Sequence, residues 1–246
     1  MNELELPTII VPARMASSRF PGKLLADAGG QPLILRTAER IRQHAPEFQL
    51  FFAVDSEDFA RVLKTAGFSF VMTSPDLPSG TDRIAQANET VGAESVINVQ
   101  ADEPLVHREH LLALTEGLKK KGADLATLAV AFKKREDFLD SNQVKVVRDA
   151  SGFAIYFSRA NIPYERESEG GMSGTALKHL GMYGYGQSFL RHFASSKQGK
   201  LERIEKLEQL RALEMGFRIS VVEVGRDTVG VDVPEDLAKL NFSSSG

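Results

Sequence analysis

TIIVPARMASSRFPGK, residues 8–23, sets the fold class. A short, uninterrupted apolar run gives way to a loop of small residues that carries Arg14, Arg19 and Lys23 but no acid. An unbroken apolar run, rather than an alternating one, is the signature of a strand buried on both faces. Residues 32–45, PLILRTAERIRQHA, follow with Leu33, Ile34, Thr37 and Ile41 at helical spacing and Pro32 at the helix start. The order is strand, loop, helix.

The same unit recurs downstream. QLFFAVD (49–55) predicts a buried strand. SEDFARVLKTAG predicts a helix capped by Ser56 and stopped by Gly67, and FSFVM a further strand. After the loop SPDLPSGTD come a helix over TDRIAQANETVG, a strand over SVINVQ, and a helix over HREHLLALTEGLKKKG beyond the acidic corner ADEP. Alternating strands and helices predict an α/β fold, a Rossmann-like doubly wound sheet, mostly parallel and covered on both faces. From about residue 123 the rhythm changes. DLATLAVAF, QVKVVRD, FAIYFS and KHLGMYGY read as a β-rich insertion, LERIEKLEQLRALEMG (201–216) as one long helical stretch, RISVVEV as a strand, and Pro234 opens a last helix.

Composition narrows the function. The chain has 246 residues, 30 basic against 33 acidic, a formal charge of −3 and no cysteine. This balance argues against a nucleic-acid binder with a broad basic face. The lack of cysteine excludes disulfides, thiolate metal sites and cysteine nucleophiles. The first residues, MNELELPTIIVP, are acidic where a signal peptide is basic, and no apolar run approaches the roughly 18 residues that span a bilayer. The expectation is a cytoplasmic protein without a membrane partner. P-loop, dinucleotide-binding, HExxH and GxSxG patterns are missing from the sequence. His107 and His110, three apart at a helix start, read as part of a solvated face rather than as metal ligands.

In an open α/β sheet, loops at the carboxyl ends of strands face the ligand crevice. Arg14, Ser17, Ser18, Arg19 and Lys23 lie on such a loop and can wrap a polyphosphate with cations and backbone N–H groups; a solvated basic loop is the alternative. Asp102 closes the strand that runs into NVQADEP, where a carboxylate can hold a hard divalent ion or simply cap a turn. Asp232 stands at a similar exit in GVDVPEDL, with N-capping by Asp232 or Asp236 as the alternative. Loop cations and separated carboxylates together suit metal-assisted chemistry on a nucleoside triphosphate.

These segments, taken in order, resemble the 3-deoxy-manno-octulosonate cytidylyltransferases of the sugar nucleotidyltransferase superfamily. The resemblance rests on IIVPARMASSRFPGK, SGTDR (79–83), NVQADEP (98–104), NQVKVV (142–147), YFSRANIP (156–163), KHLGMYGY (178–185), LEQLRALEMG (207–216) and GVDVPEDL (230–237). It implies transfer of CMP from CTP to the anomeric 2-hydroxyl of an eight-carbon 3-deoxy sugar acid for lipopolysaccharide biosynthesis, with Mg²⁺ as cofactor and release of pyrophosphate. Other readings on the same fold are activation of a different sugar acid, or a non-catalytic nucleotide or sugar sensor.

Residue by residue, the resemblance makes Arg14 and Lys23 triphosphate ligands, with Ser17, Ser18 and Arg19 close by and Lys23 also catalytic. Asp102 and Asp232 become the Mg²⁺ carboxylates. Gly80, Thr81 and Arg83 become the nucleotide-base segment, which also reads as a helix N-terminus capped by Ser79 or Thr81. On the sugar side it points to Gln100, Arg159, His179, Tyr183, Tyr185, Glu208 and Gln209. Arg159 suits a carboxylate through its planar fork; Glu208 and Gln209 would otherwise read as a solvated helix face.

The resemblance further implies one nucleotidyltransferase domain over 1–246. Its nucleotide half is 1–122 and its sugar-binding and dimerisation half 123–246, forming a homodimer through the β-rich part, although Phe153, Ile155 and Phe157 there can equally be core. Two positions depart from the family pattern: Ala101 replaces a common glycine and Tyr164 a common tryptophan. A Cβ at 101 would be strained if the backbone there had φ > 0. The acceptor stays open between 3-deoxy-manno-octulosonate and its 8-amino analogue.

Overall fold

The computed structural model describes residues 6–16, 20–168, 172, 175–228, 230–231 and 233–239. The chain divides into two compact units, residues 1–108 with 228–246, and residues 109–227.

The first unit begins with β1 (Thr8–Ala13), α1 (Leu33–His44), β2 (Leu50–Val54), α2 (Glu57–Thr65), β3 (Ser69–Met72), α3 (Gly80–Val91) and β4 (Ser95–Asn98). β1 is buried along its whole length, as its unbroken apolar run requires. It pairs in parallel with β2, Ile10 opposite Phe51, and with β4, Ile10 opposite Asn98. β2 pairs in parallel with β3, giving the order β3-β2-β1-β4. The chain thus builds outward from β1 on one side and then returns to its other side. Ligands of open α/β sheets bind where the order reverses in this way, outside the carboxyl ends of the two strands involved, here β1 and β4. Ile9, Leu33, Phe52, Leu63 and Ile84 are wholly buried in the core of this unit. Ser56 and Ser79 cap α2 and α3 through their side chains, so Ser79 rather than Thr81 closes the SGTDR helix.

The second unit contains α4 (Arg108–Lys119), β5 (Leu125–Ala131), α5 (Arg135–Leu139), β6 (Lys145–Arg148), β7 (Ala154–Ser158), β8 (Leu177–Gly186), α6 (Gln187–Ala194), α7 (Lys200–Glu205), α8 (Gln209–Glu214) and β9 (Ile219–Glu223). β5 lies between β8, antiparallel, and β9, parallel; β6 pairs antiparallel with β7 and β8. Gly117 lets α4 approach the sheet, since a Cβ there would lie 2.8 Å from Ala126 and 2.9 Å from Val222. The chain ends its described part with α9 (Pro234–Lys239), in the first unit.

Two expectations need correction, and the condition attached to Ala101 is not met. The stretch 201–216 is not one helix: α7 stops at Lys206, which adopts φ 55 in the left-handed region, and α8 starts anew. The conformational cost is offset by a buried pair across the corner, where Arg211 donates to both carboxylate oxygens of Glu202 at 2.8 and 2.9 Å. His110 is not on a solvated face; it is fully buried, with Nε2 3.0 Å from the Arg226 carbonyl. Burial draws its pKa down. Ala101 carries no left-handed strain, because Lys206 is the one non-glycine residue with positive φ among those described.

Candidate active site

Parallel pairing places the ends of β1, β2, β3 and β4 along one edge of the first unit's sheet. Arg14 follows β1 and is exposed. Further along the same loop, Gly22, at φ 67, turns the chain into a single 3-10 turn, Lys23–Leu25. Lys23 Nζ donates to Asp102 Oδ2 and, at 2.7 Å, to the Val231 carbonyl. The Val231 amide in turn donates to the Asp102 carbonyl at 2.9 Å. Three segments distant in sequence therefore meet at Asp102, which keeps 27% side-chain exposure against 12% for Lys23. The Asp102 turn is held from behind by the Thr37 hydroxyl, which donates to the Ala101 carbonyl at 2.8 Å. Gln100 lies at the start of this turn, 3.3 Å from Asn98 Oδ1.

The donor set fits a cation. An ammonium already lies between a carboxylate and a carbonyl oxygen, the ligand chemistry that a hard divalent ion prefers. Ser17, Ser18, Arg19 and Asp232 lie outside the described residues. Asp236 has a capping contact, accepting from the Val233 amide at 3.1 Å.

Gly80 and Thr81 form the first turn of α3; a Cβ on Gly80 would lie 3.4 Å from Pro12, so this turn abuts the end of β1. Arg83 is turned inward. Its guanidinium meets Asp55 Oδ2 at 3.1 Å, Thr73 Oγ1 at 2.5 Å and the Ser74 carbonyl at 3.3 Å. Burial lowers its pKa, Asp55 opposes that shift, and nearby Arg14 adds to it. Asp55, for which the sequence suggested no role, also accepts from the Met15 amide at 2.9 Å, tying the cationic loop to α3. The signal was present: like Asp102, Asp55 is an acid closing a buried strand.

The second unit gathers another constellation. β8 is irregular opposite Thr127 and Leu128, so Leu128 pairs with Leu180 and Thr127 with Tyr183. His179 and Tyr183 come together there with ring centroids 5.5 Å apart, and Tyr183 stacks on Tyr185 at 5.8 Å. The Thr127 hydroxyl donates to the Met182 carbonyl at 2.8 Å, so it accepts from His179 Nε2, 3.0 Å away. That assigns the His179 proton to Nε2 and leaves Nδ1 an acceptor. Burial pulls the His179 pKa down to about 3, which keeps the ring neutral. Tyr183 is raised well above the ordinary phenol value, by burial first and then by Tyr185 and Glu208.

Glu208 and Gln209 start α8 just past the Lys206 corner. Glu208 is one-third exposed and 3.5 Å from Arg211. Gln209 is only 6% exposed, and its Nε2 has no hydrogen-bond partner among the described residues. A buried donor without a partner costs about 1–3 kcal/mol, which makes Gln209 a candidate for contact with a ligand. Arg159 follows β7. Its Nε donates to the Glu205 carbonyl at 2.8 Å and its Nη1 to the Ser141 carbonyl at 3.0 Å. Both acceptors are neutral, so the guanidinium charge remains available to an anion. Phe153 and Phe157 are core, whereas Ile155 is 60% exposed.

A profile of the family described as Cytidylyltransferase matches residues 8–219. Curated relatives named 3-deoxy-manno-octulosonate cytidylyltransferase include those of Geobacter sulfurreducens, 41% identical over 95% of this chain and 97% of the relative, and Nitratiruptor sp., 43% identical over 96% and 98%. Among solved structures, CMP:2-keto-3-deoxy-manno-octonic acid synthetase complexed with CTP superposes with a TM-score of 0.88 at 35% identity, covering 95% of both chains. A cytidylyltransferase from Leptospira borgpetersenii shares the fold, with a TM-score of 0.60 at 17% identity over 94% of this chain and 83% of that one. With the profile spanning most of its length and whole-chain relatives above 40% identity, this chain belongs to the cytidylyltransferase family, in its 3-deoxy-manno-octulosonate cytidylyltransferase (CMP-Kdo synthetase) branch.

Proposed function

We propose that the protein transfers CMP from CTP to the anomeric 2-hydroxyl of 3-deoxy-manno-octulosonate, or of its 8-amino analogue, with release of pyrophosphate. The observation that carries this reading is the Lys23–Asp102–Val231 cluster at the carboxyl ends of β1 and β4, where the strand order reverses. Arg14 and Lys23 take the triphosphate, with Ser17, Ser18 and Arg19 from the same loop, and Gly80 and Thr81 take the base. Arg83 supports that segment from behind through Asp55. Asp102, with Asp232, would hold Mg²⁺, which would neutralise charge on the triphosphate oxygens.

On the sugar side Arg159 binds the acid's carboxylate, and Gln100, His179, Tyr183, Tyr185, Glu208 and Gln209 orient its hydroxyls. The work is positioning and charge neutralisation, with no covalent protein intermediate. The nucleotide residues fall within 1–122, apart from the metal-site Asp232, and the sugar residues within 123–246, apart from Gln100. A CTP-dependent step feeding lipopolysaccharide synthesis supports a cytoplasmic location. Exposed Ile155 and Tyr164, at 60% and 69%, support a homodimer through the β-rich part.

Pyrophosphate release measured with each of the four nucleoside triphosphates, Mg²⁺, and the two acceptors side by side tests the reading. Turnover with CTP and at least one of the two acids is expected. Tight binding without turnover would make the protein a sensor, and preference for another sugar acid would move it to a different activation reaction.

A further inference from the structure

The carboxylate of Glu205 lies between two parts of the sugar-side constellation. Oε1 accepts from the Ser158 hydroxyl at 2.6 Å and Oε2 from the Arg159 amide at 3.1 Å, while the Glu205 carbonyl accepts from Arg159 Nε at 2.8 Å. The next residue is Lys206, whose left-handed conformation turns the chain toward Glu208 and Gln209. One residue therefore fixes two things: its carboxylate holds the end of β7 through the Ser158 hydroxyl and the Arg159 amide, and its main-chain carbonyl, beside the corner from which α8 starts, sets the direction of the Arg159 guanidinium.

A second group closes the arrangement from the other side. Lys145 is wholly buried, and its Nζ donates to the Asp140 carbonyl at 2.8 Å and the Arg159 carbonyl at 3.2 Å. Arg159 Nη1 reaches the Ser141 carbonyl beside it. Burial lowers the Lys145 pKa, with Asp140 opposing the shift and Arg159 reinforcing it. A buried cation used only to hold carbonyls is an expensive way to fix a loop, unless the loop's geometry matters for something besides stability.

We propose that Glu205 is a positioning residue for the sugar acid. With Lys145 behind it, Glu205 holds Arg159 and the Lys206 corner, so that the arginine fork and Gln209 stay at fixed places for the incoming carboxylate and hydroxyls. Glu205 touches no substrate and acts through Arg159. This inference rests on the cytidylyltransferase reading, and wild-type turnover serves as its control.

The test is steady-state kinetics on full-length Glu205→Gln and Ser158→Ala, with both substrates varied and melting temperatures recorded. Glutamine keeps an oxygen for the Arg159 amide but turns an N–H toward Ser158 Oγ, which must give up its own donation, and the main-chain contact to Arg159 Nε is displaced rather than lost, so Glu205→Gln should raise the sugar-acid KM by about threefold to tenfold. The KM for CTP should stay within about twofold. Ser158→Ala, a milder change that keeps the fold, should give a smaller rise of the same kind, and the double variant should cost less than the product of the two. A sugar-acid KM unchanged in both variants, or KM values for sugar and CTP rising together, would overturn the proposal. Wild-type protein inactive with both acids would instead overturn the functional reading.

Discussion

Lys23 and Asp102, 79 positions apart in the sequence, are joined ammonium to carboxylate across the loops that leave β1 and β4. The pairing follows from topology: β4 returns to the free side of β1, and parallel pairing brings both carboxyl ends to one edge. In the proposed function Asp102 and the Val231 carbonyl would offer oxygen ligands to a divalent ion, and Lys23 would be the cation for a phosphate.

Lys23→Ala should therefore raise the KM for CTP by about tenfold to a hundredfold, the worth of a lost charge-assisted contact, while leaving the sugar-acid KM nearly unchanged. Little stability should be lost, because the pair is partly exposed. Initial-rate measurements with each substrate varied decide this; a selective rise in the sugar KM would put Lys23 at the wrong substrate.

Asp102→Asn keeps the shape of the side chain and removes its charge. Turnover at saturating Mg²⁺ should fall by about 100-fold or more with the melting temperature preserved, and Asp232→Asn should behave alike. Near-normal turnover in both variants would end the metal assignment.

Asp55→Asn probes the support behind the nucleotide loop. Arg83 and Asp55 have side-chain exposures of 2% and 6%, and a buried charge left without its partner costs about 3–5 kcal/mol. Urea unfolding should show a loss of that size. A loss below about 1 kcal/mol would mean that Arg83 finds compensation elsewhere.

Buried His179 makes stability depend on pH. Its folded pKa of about 3 lies below the ordinary imidazole value of about 6.5, so the unfolded chain binds a proton that the folded chain refuses. This residue's contribution is fully present above about pH 6.5 and declines by about 1.4 kcal/mol per pH unit as pH falls toward 3. His110, shifted in the same direction, adds to the slope. His179→Gln should flatten the acid-side dependence of unfolding free energy by its share, leaving that of His110; identical slopes would show that His179 titrates normally.

Gln209→Met should separate stability from function. Removing the buried amide donor relieves an unmet hydrogen bond, so unfolding free energy should hold or rise by about 1 kcal/mol, while the sugar-acid KM rises about tenfold or more. A drop in stability with unchanged KM would make Gln209 a structural residue.

The parallel half of the fold was legible because its central strands are apolar without interruption: TIIVPA is buried along its whole length and LFFAV over its last three residues. The α7–α8 break was not, since LERIEKLEQLRALEMG is periodic throughout; the interruption at Lys206 is stabilised by a buried Glu202–Arg211 pair that no local pattern announces. His110 escaped for a similar reason, its hydrogen-bond acceptor lying 116 positions away. Asp55 could have been found, because it closes a strand as Asp102 does. Glu205 could not, because on a charged helical stretch it looks like its solvated neighbours.

Phosphorus NMR of CTP, Mg²⁺ and 3-deoxy-manno-octulosonate or its 8-amino analogue in the presence of the enzyme decides whether CMP is transferred. The three CTP resonances should disappear while one phosphodiester resonance and pyrophosphate grow in equal molar amounts, at a rate that collapses in Asp102→Asn. Unchanged CTP with both acids, or its conversion to CDP and phosphate, would contradict CMP transfer.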